Sequence, residues 1–408
     1  MRFLYLGLLL FSFISTQSYS QDCDMEGIAR YRINARTTDK DISFSSLLHH
    51  VYLDTNNATQ GPLMLYFVGS YDKPSKTTFF PLLAACRGYH VIVLEYPNKV
   101  AAKSACAKSD QSLCYTYFRK EILEGKDYLS SIDIAKPDGI LNRTLKLLQY
   151  LDAQHPSQGW NKYYDGEQIL WENITVAGHS QGGGHALFIS TQKKVKRAIG
   201  FAAPNDYSER FGKPALWTQL ESATPKEDQY VFLNLHDDVV PFEQQYAACQ
   251  NLGLPTVGDS LSVDKASSPY DSSHVLYTRR TTTGFGGNHS LLVRDKNTPL
   301  DNNGIPIFLP VWTYLLGPKD TMSATVDLHG WSPPFHISPN PGSDYFQLDF
   351  SPDAPSYGVL RVVSLGGQTM LHTTRPIRRV NTETWPCGLY QVEVTAGQRR
   401  YIQRWTKQ

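Results

Sequence analysis

Short, nearly all-apolar runs constrain this chain more than any other feature. They read Leu-Met-Leu-Tyr-Phe-Val at 63–68, His-Val-Ile-Val-Leu-Glu-Tyr at 90–96, Ile-Thr-Val-Ala at 174–177, Ala-Ile-Gly-Phe at 198–201 and Tyr-Val-Phe-Leu-Asn-Leu at 230–235. Successive side chains of a strand point to opposite faces, so a run without a polar face must be covered on both sides. That pattern predicts central strands of a mostly parallel sheet. Ile140, Leu141, Leu145, Leu148 and Leu151 recur at helical spacing and predict a helix packed on it. From about residue 45 to 317 the texture is therefore α/β.

Both ends of the chain read differently. Residues 1–20 combine Arg2, an apolar stretch over 3–14 and Ser18-Tyr19-Ser20, the pattern of an export signal. A domain-sized segment, 21–317, follows. Residues 318–335 are polar, contain Ser332-Pro333-Pro334, and are expected to form a linker. Beyond it, Phe-Gln-Leu-Asp-Phe at 346–350 and Leu-Tyr-Gln-Val-Glu-Val at 389–394 alternate with period two, which predicts a small antiparallel β-sandwich over 336–408. Lys and Arg total 39 against 38 Asp and Glu, and they are scattered, so no basic stripe for nucleic acid exists. Export implies an oxidising environment, in which Cys106 and Cys114 can staple one loop and Cys86 with Cys249 is a possible second bridge.

Chemistry concentrates at Gly178-His179-Ser180-Gln181-Gly182, directly after the run 174–177 and before the helix-compatible His185-Ala186-Leu187-Phe188-Ile189. Strand, G-x-S-x-G turn and helix together predict a nucleophile elbow with Ser180 at its tip. The fuller string 176–186, with three consecutive glycines from Gly182, resembles exported hydrolases of the α/β-hydrolase fold over roughly residues 45–317.

The resemblance implies an acid after a later strand and a histidine before the last helix. Asp237-Asp238-Val239-Val240-Pro241 resembles the family's D-x-V-V-P loop, which makes Asp237 the expected acid with Asp238 as competitor. Gly286-Gly287-Asn288-His289-Ser290 makes His289 the expected base, with His274 as runner-up. His179 and His185 stand too close to Ser180 in sequence to serve as its base and are expected to support the pocket. The oxyanion hole is expected from the backbone N–H of Gln181 and a second donor at Ser70, with Tyr71 close behind. Loops 127–138 and 204–222, the second carrying Tyr207, Phe211 and Trp217, are expected to shape the pocket. No H-E-x-x-H, Rossmann or Walker pattern is present, so neither a metal nor a nucleotide cofactor is expected.

The tail carries its own resemblance. His336-Ile337-Ser338-Pro339-Asn340-Pro341, the segment 362–368 and Gly388-Leu389-Tyr390 are similar to the sorting domain of the type IX secretion system of Bacteroidetes. Together these expectations describe a serine esterase that meets a secretion machinery through its tail and crosses the periplasm of a Gram-negative bacterium to the surface or medium. A serine peptidase on the same fold, or a binding protein that kept the fold without the chemistry, are the alternatives.

Overall fold

In the computed structural model, described for residues 27–43, 47–57, 61–302, 304–317, 335–350, 358–364, 368–375, 377–396 and 399–408, the apolar runs lie side by side. The export signal and nearly all of the linker fall outside these residues, and Phe335 already begins a strand of the tail. The large sheet contains β1 (Ile28–Asn34), β2 (Leu48–Asp54), β3 (Leu63–Phe67), β4 (His90–Leu94), β5 (Ile174–His179), β6 (Arg197–Phe201), β7 (Gln229–Asn234), β8 (Leu261–Ser262) and β9 (Val275–Thr278). Their spatial order is 1-2-4-3-5-6-7-9-8. β1 and β2 run antiparallel to each other, β2 runs antiparallel to β4, and the other neighbours pair in parallel. Every residue of β3, β4, β5 and β7 is buried, as two-sided coverage requires.

The predicted helix spans Ile140–Gln154 and buries Ile140, Leu145, Leu148 and Leu151. A short helix, Phe79–Cys86, packs beside Leu309–Leu316, and the helix Gln181–Gln192 crosses Cys114–Glu124. β1 escaped the apolar-run criterion because it is an outer strand whose Arg30 and Arg32 face outward. No described helix is long and apolar enough to cross a membrane.

A second core, built on Ile337, Phe346, Leu348, Val362, Val392 and Trp405, belongs to the tail. It lies between two antiparallel sheets, one of three strands and one of four. Cys106 and Cys114 are bridged, with Cα atoms 5.5 Å apart. Cys86 is disulfide-bonded too, but not to Cys249, which is a free buried thiol. That corrects the expected second bridge: Cys249 serves the core as a small hydrophobe.

Several histidines are buried as neutral rings, and this makes stability depend on acid. Burial, reinforced by nearby positive groups, depresses His49 and His179 to about 3, His50 to about 4 and His185 well below its ordinary value. Burial raises Glu95, despite its pair with Arg143, to about 7, and Asp295 to about 6. As pH falls through the ordinary histidine range, the unfolded chain takes up protons on those four rings while the native state refuses them, which destabilises the fold. The two carboxyls act in the opposite sense, because the native state binds their protons first. Near pH 5 the four rings outnumber the two carboxyls, so the unfolded chain holds more protons and stability is lost as pH falls. Urea midpoints measured between pH 7 and pH 5 are expected to fall. A flat or rising midpoint would contradict the assignment of neutral buried histidines.

Candidate active site

The site is assembled at the carboxyl ends of the parallel strands, where open α/β sheets place ligands. β5 ends at His179, and Ser180 follows with φ 55° and ψ −121° before the helix begins at Gln181. A non-glycine residue held at positive φ is strained, and the surroundings have to over-determine it. Two glycines make that possible. A Cβ on Gly178 would come within 2.4 Å of the Gly182 carbonyl carbon, and one on Gly182 within 2.1 Å of the Phe67 oxygen. The Ser180 N–H donates to Phe201 O at 2.8 Å, tying the tip of the turn to β6.

Ser180 and His289 line one cavity of about 520 Å³, together with Ser70, Gln181, Asn205 and Arg119. His289 Nδ1 lies 2.6 Å from Asp237 Oδ2. The side chain of Asp237 is fully buried and its other contacts are fixed: Oδ1 accepts the Val239 and Val240 N–H groups, each at 2.9 Å, and Oδ2 accepts Gln245 Nε2 at 2.8 Å. Burial by itself would raise this carboxyl, but the bond and charge of His289 and the two backbone donors outweigh it and hold Asp237 below the usual range. His289 Nε2 is buried and, among the described residues, has no hydrogen-bond partner. A neutral imidazole whose Nδ1–H is given to a carboxylate leaves Nε2 as a free base.

Asp238 sits one residue away and does something else. Its carboxylate accepts the Gly286 N–H at 2.7 Å and the His289 N–H at 3.1 Å, latching the loop that carries His289. His179 secures the same residue from below, its Nε2 lying 3.1 Å from His289 O. His274 is not among the cavity residues; its Nδ1 bonds Gln229 O at 2.9 Å and its ring stacks on Tyr230. His185 is not a pocket residue either, being enclosed in the core between Tyr96 and Phe118.

The loop after β3 approaches the elbow closely, since a Cβ on Gly69 would stand 3.3 Å from the Ser180 Cβ. Ser70 Oγ donates to Gln181 Oε1 at 2.8 Å, and Asn98 Nδ2 holds the loop through Gly69 O at 2.8 Å. The Tyr71 N–H is spent on Asn98 O, whereas among the described residues no acceptor takes the N–H of Ser70 or of Gln181. Gln181 opens its helix, so its N–H belongs to the positive end of that dipole.

Three contributors escaped the sequence reading. Asn205, just past β6, donates from Nδ2 to Ser180 Oγ at 3.2 Å. Arg119, on the helix Cys114–Glu124, bonds Gln181 O at 2.6 Å while pairing with Asp206 in full burial. Asn98 braces the loop after β3. Only Asn205 had a usable signal, its place after a central strand's carboxyl end. The expected pocket loops need correction. Trp217 is a core residue that donates to Asp206 at 2.7 Å, and of residues 127–138 and 204–222 only Asn205 lines the cavity. The aromatic rim comes instead from Tyr71 and Phe285, which are 64% and 91% exposed.

Residues 336–408 match the family model of the secretion system C-terminal sorting domain. This supports the type IX sorting reading of the tail and a secreted or cell-surface protein. Among solved structures, the chain is similar to a protein of Klebsiella pneumoniae subsp. pneumoniae assigned as a dienelactone hydrolase, at 10% identity and a TM-score of 0.33, covering 65% of this chain and 88% of that one. No curated protein matches the sequence.

Proposed function

We propose that this chain is an exported serine hydrolase that cleaves carboxylic esters through an acyl-enzyme. One observation carries the reading: a histidine whose Nδ1 is held by the buried Asp237, and whose Nε2 is free, shares a cavity with a serine on a strained elbow. Ser180 Oγ attacks the ester carbonyl as His289 Nε2 takes its proton, and the imidazolium is stabilised by Asp237. The oxyanion forms between the N–H groups of Gln181 and Ser70, which water or substrate must otherwise satisfy. Collapse of the tetrahedral intermediate expels the alkoxide, which takes the proton from His289. Water then repeats the cycle on the acyl-serine and releases the acid. A fluorophosphonate probe tests this directly: it should label the native protein at Ser180 and fail to label Ser180→Ala.

The two separate cores give the tail a separable role. A chain ending at Gly317 is expected to fold and hydrolyse small soluble esters, since the hydrolase core closes with the helix Leu309–Leu316. In the native host it should stay in the periplasm, read out by fractionation. Normal appearance at the surface or in the medium would remove the sorting role, and lost activity would mean that the two cores depend on each other.

A further inference from the structure

Asn205 has one amide atom committed and one left over. Its Nδ2 donates to Ser180 Oγ at 3.2 Å, while its Oδ1 is buried at the cavity wall and, among the described residues, has no hydrogen-bond partner. A buried carbonyl left unbonded is destabilising, so Oδ1 is poised to accept a hydrogen bond from what enters the cavity. The two heteroatoms of an amide lie about 2.2 Å apart, which puts the free one within roughly 5–6 Å of the nucleophile oxygen. A carbonyl carbon poised for attack sits about 3–3.5 Å from that oxygen. A substrate donor a few bonds from the scissile carbonyl can therefore reach Oδ1.

The donor's chemistry follows from the surroundings. An ammonium finds no free carboxylate there, because the cavity's one lining carboxylate, Asp72, already pairs with Arg294 at 3.1 Å, and Lys103 lines the same cavity. We infer that Asn205 is a specificity residue that binds a substrate hydroxyl adjacent to the scissile ester. This deepens the serine-hydrolase reading and rests on it. The hydroxyl donates to Oδ1 and satisfies the amide without adding charge. It can sit on either side of the ester, on the acid as in a 2-hydroxy acid or on the alcohol as in a partly acylated polyol.

Matched substrate pairs separate these sources. Ethyl lactate against ethyl 2-methylpropanoate probes the acid side, and 2-hydroxyethyl butyrate against propyl butyrate probes the alcohol side. After correction for intrinsic reactivity, kcat/KM should favour the hydroxylated member of at least one pair by about 10-fold or more, because sites built to hydrogen-bond a group reject its absence. In Asn205→Leu, which keeps the branched shape but no hydrogen bond, that ratio should collapse towards unity whatever the absolute rate. The native ratios stand as a test even where the variant does not fold. Labelling of Ser180 by a fluorophosphonate without hydroxyl selectivity overturns the role of Asn205 and leaves the serine chemistry standing. Absence of labelling brings down both.

Discussion

Replacing Ser180 with alanine is expected to lower ester hydrolysis by on the order of 10⁴ to 10⁶ while leaving the fold intact. On the proposed mechanism the loss is large because every other group acts through this oxygen. His289 has no second proton to take, and the Gln181 and Ser70 N–H groups stabilise charge only once an oxyanion forms. The fold survives because alanine keeps the Cβ that already occupies the strained position, and only the 3.2 Å bond from Asn205 disappears. Circular dichroism and a urea midpoint should match the native protein. Turnover close to native in the alanine variant would dismiss the serine mechanism.

The two adjacent aspartates should part company just as sharply. In Asp237→Asn the Val239 and Val240 N–H groups keep Oδ1 as the acceptor on their side. The new amide nitrogen then stands where Oδ2 was, facing His289 Nδ1 and Gln245 Nε2. Two donors cannot share that gap, so His289 is driven to carry its proton on Nε2, where it cannot receive one from Ser180. A loss on the order of 10⁴ in kcat follows from the wrong tautomer. Asp238→Asn removes at most one of two bonds that latch the His289 loop and should cost roughly 10-fold or less, mostly through looser positioning. Steady-state kinetics on one soluble ester rank the pair, and the reverse order would move the acid by one residue.

That ranking also marks where sequence reading stops. Both aspartates stand in the same D-D-V-V-P loop, and the pattern that favours Asp237 leaves Asp238 a competitor. Their roles diverge because one carboxylate is captured by the next backbone amides and by Gln245, and is thereby aimed at His289, while the other turns to Gly286. The same holds for His289 over His274. Both precede apolar segments, but only the chain path after β9 brings one of them to the elbow. The pairing of Cys86 was misjudged for a related reason, since spacing carries no information about which thiols meet in space.

What the sequence by itself determined is what neighbouring residues decide among themselves. All-apolar runs demand two covered faces, glycines flanking Ser180 permit the elbow, and period-two alternation makes the tail a β-sandwich. What only the tertiary structure decided are contacts made across the chain: Asn205 on Ser180 Oγ, Arg119 on the elbow's carbonyl, Ser70 facing Gln181. Those pairs are separated by 25, 62 and 111 positions. Backbone propensity acts over a few residues, whereas the direction of a side chain towards a distant partner is fixed only when the sheet has set every strand's carboxyl end beside its neighbour's.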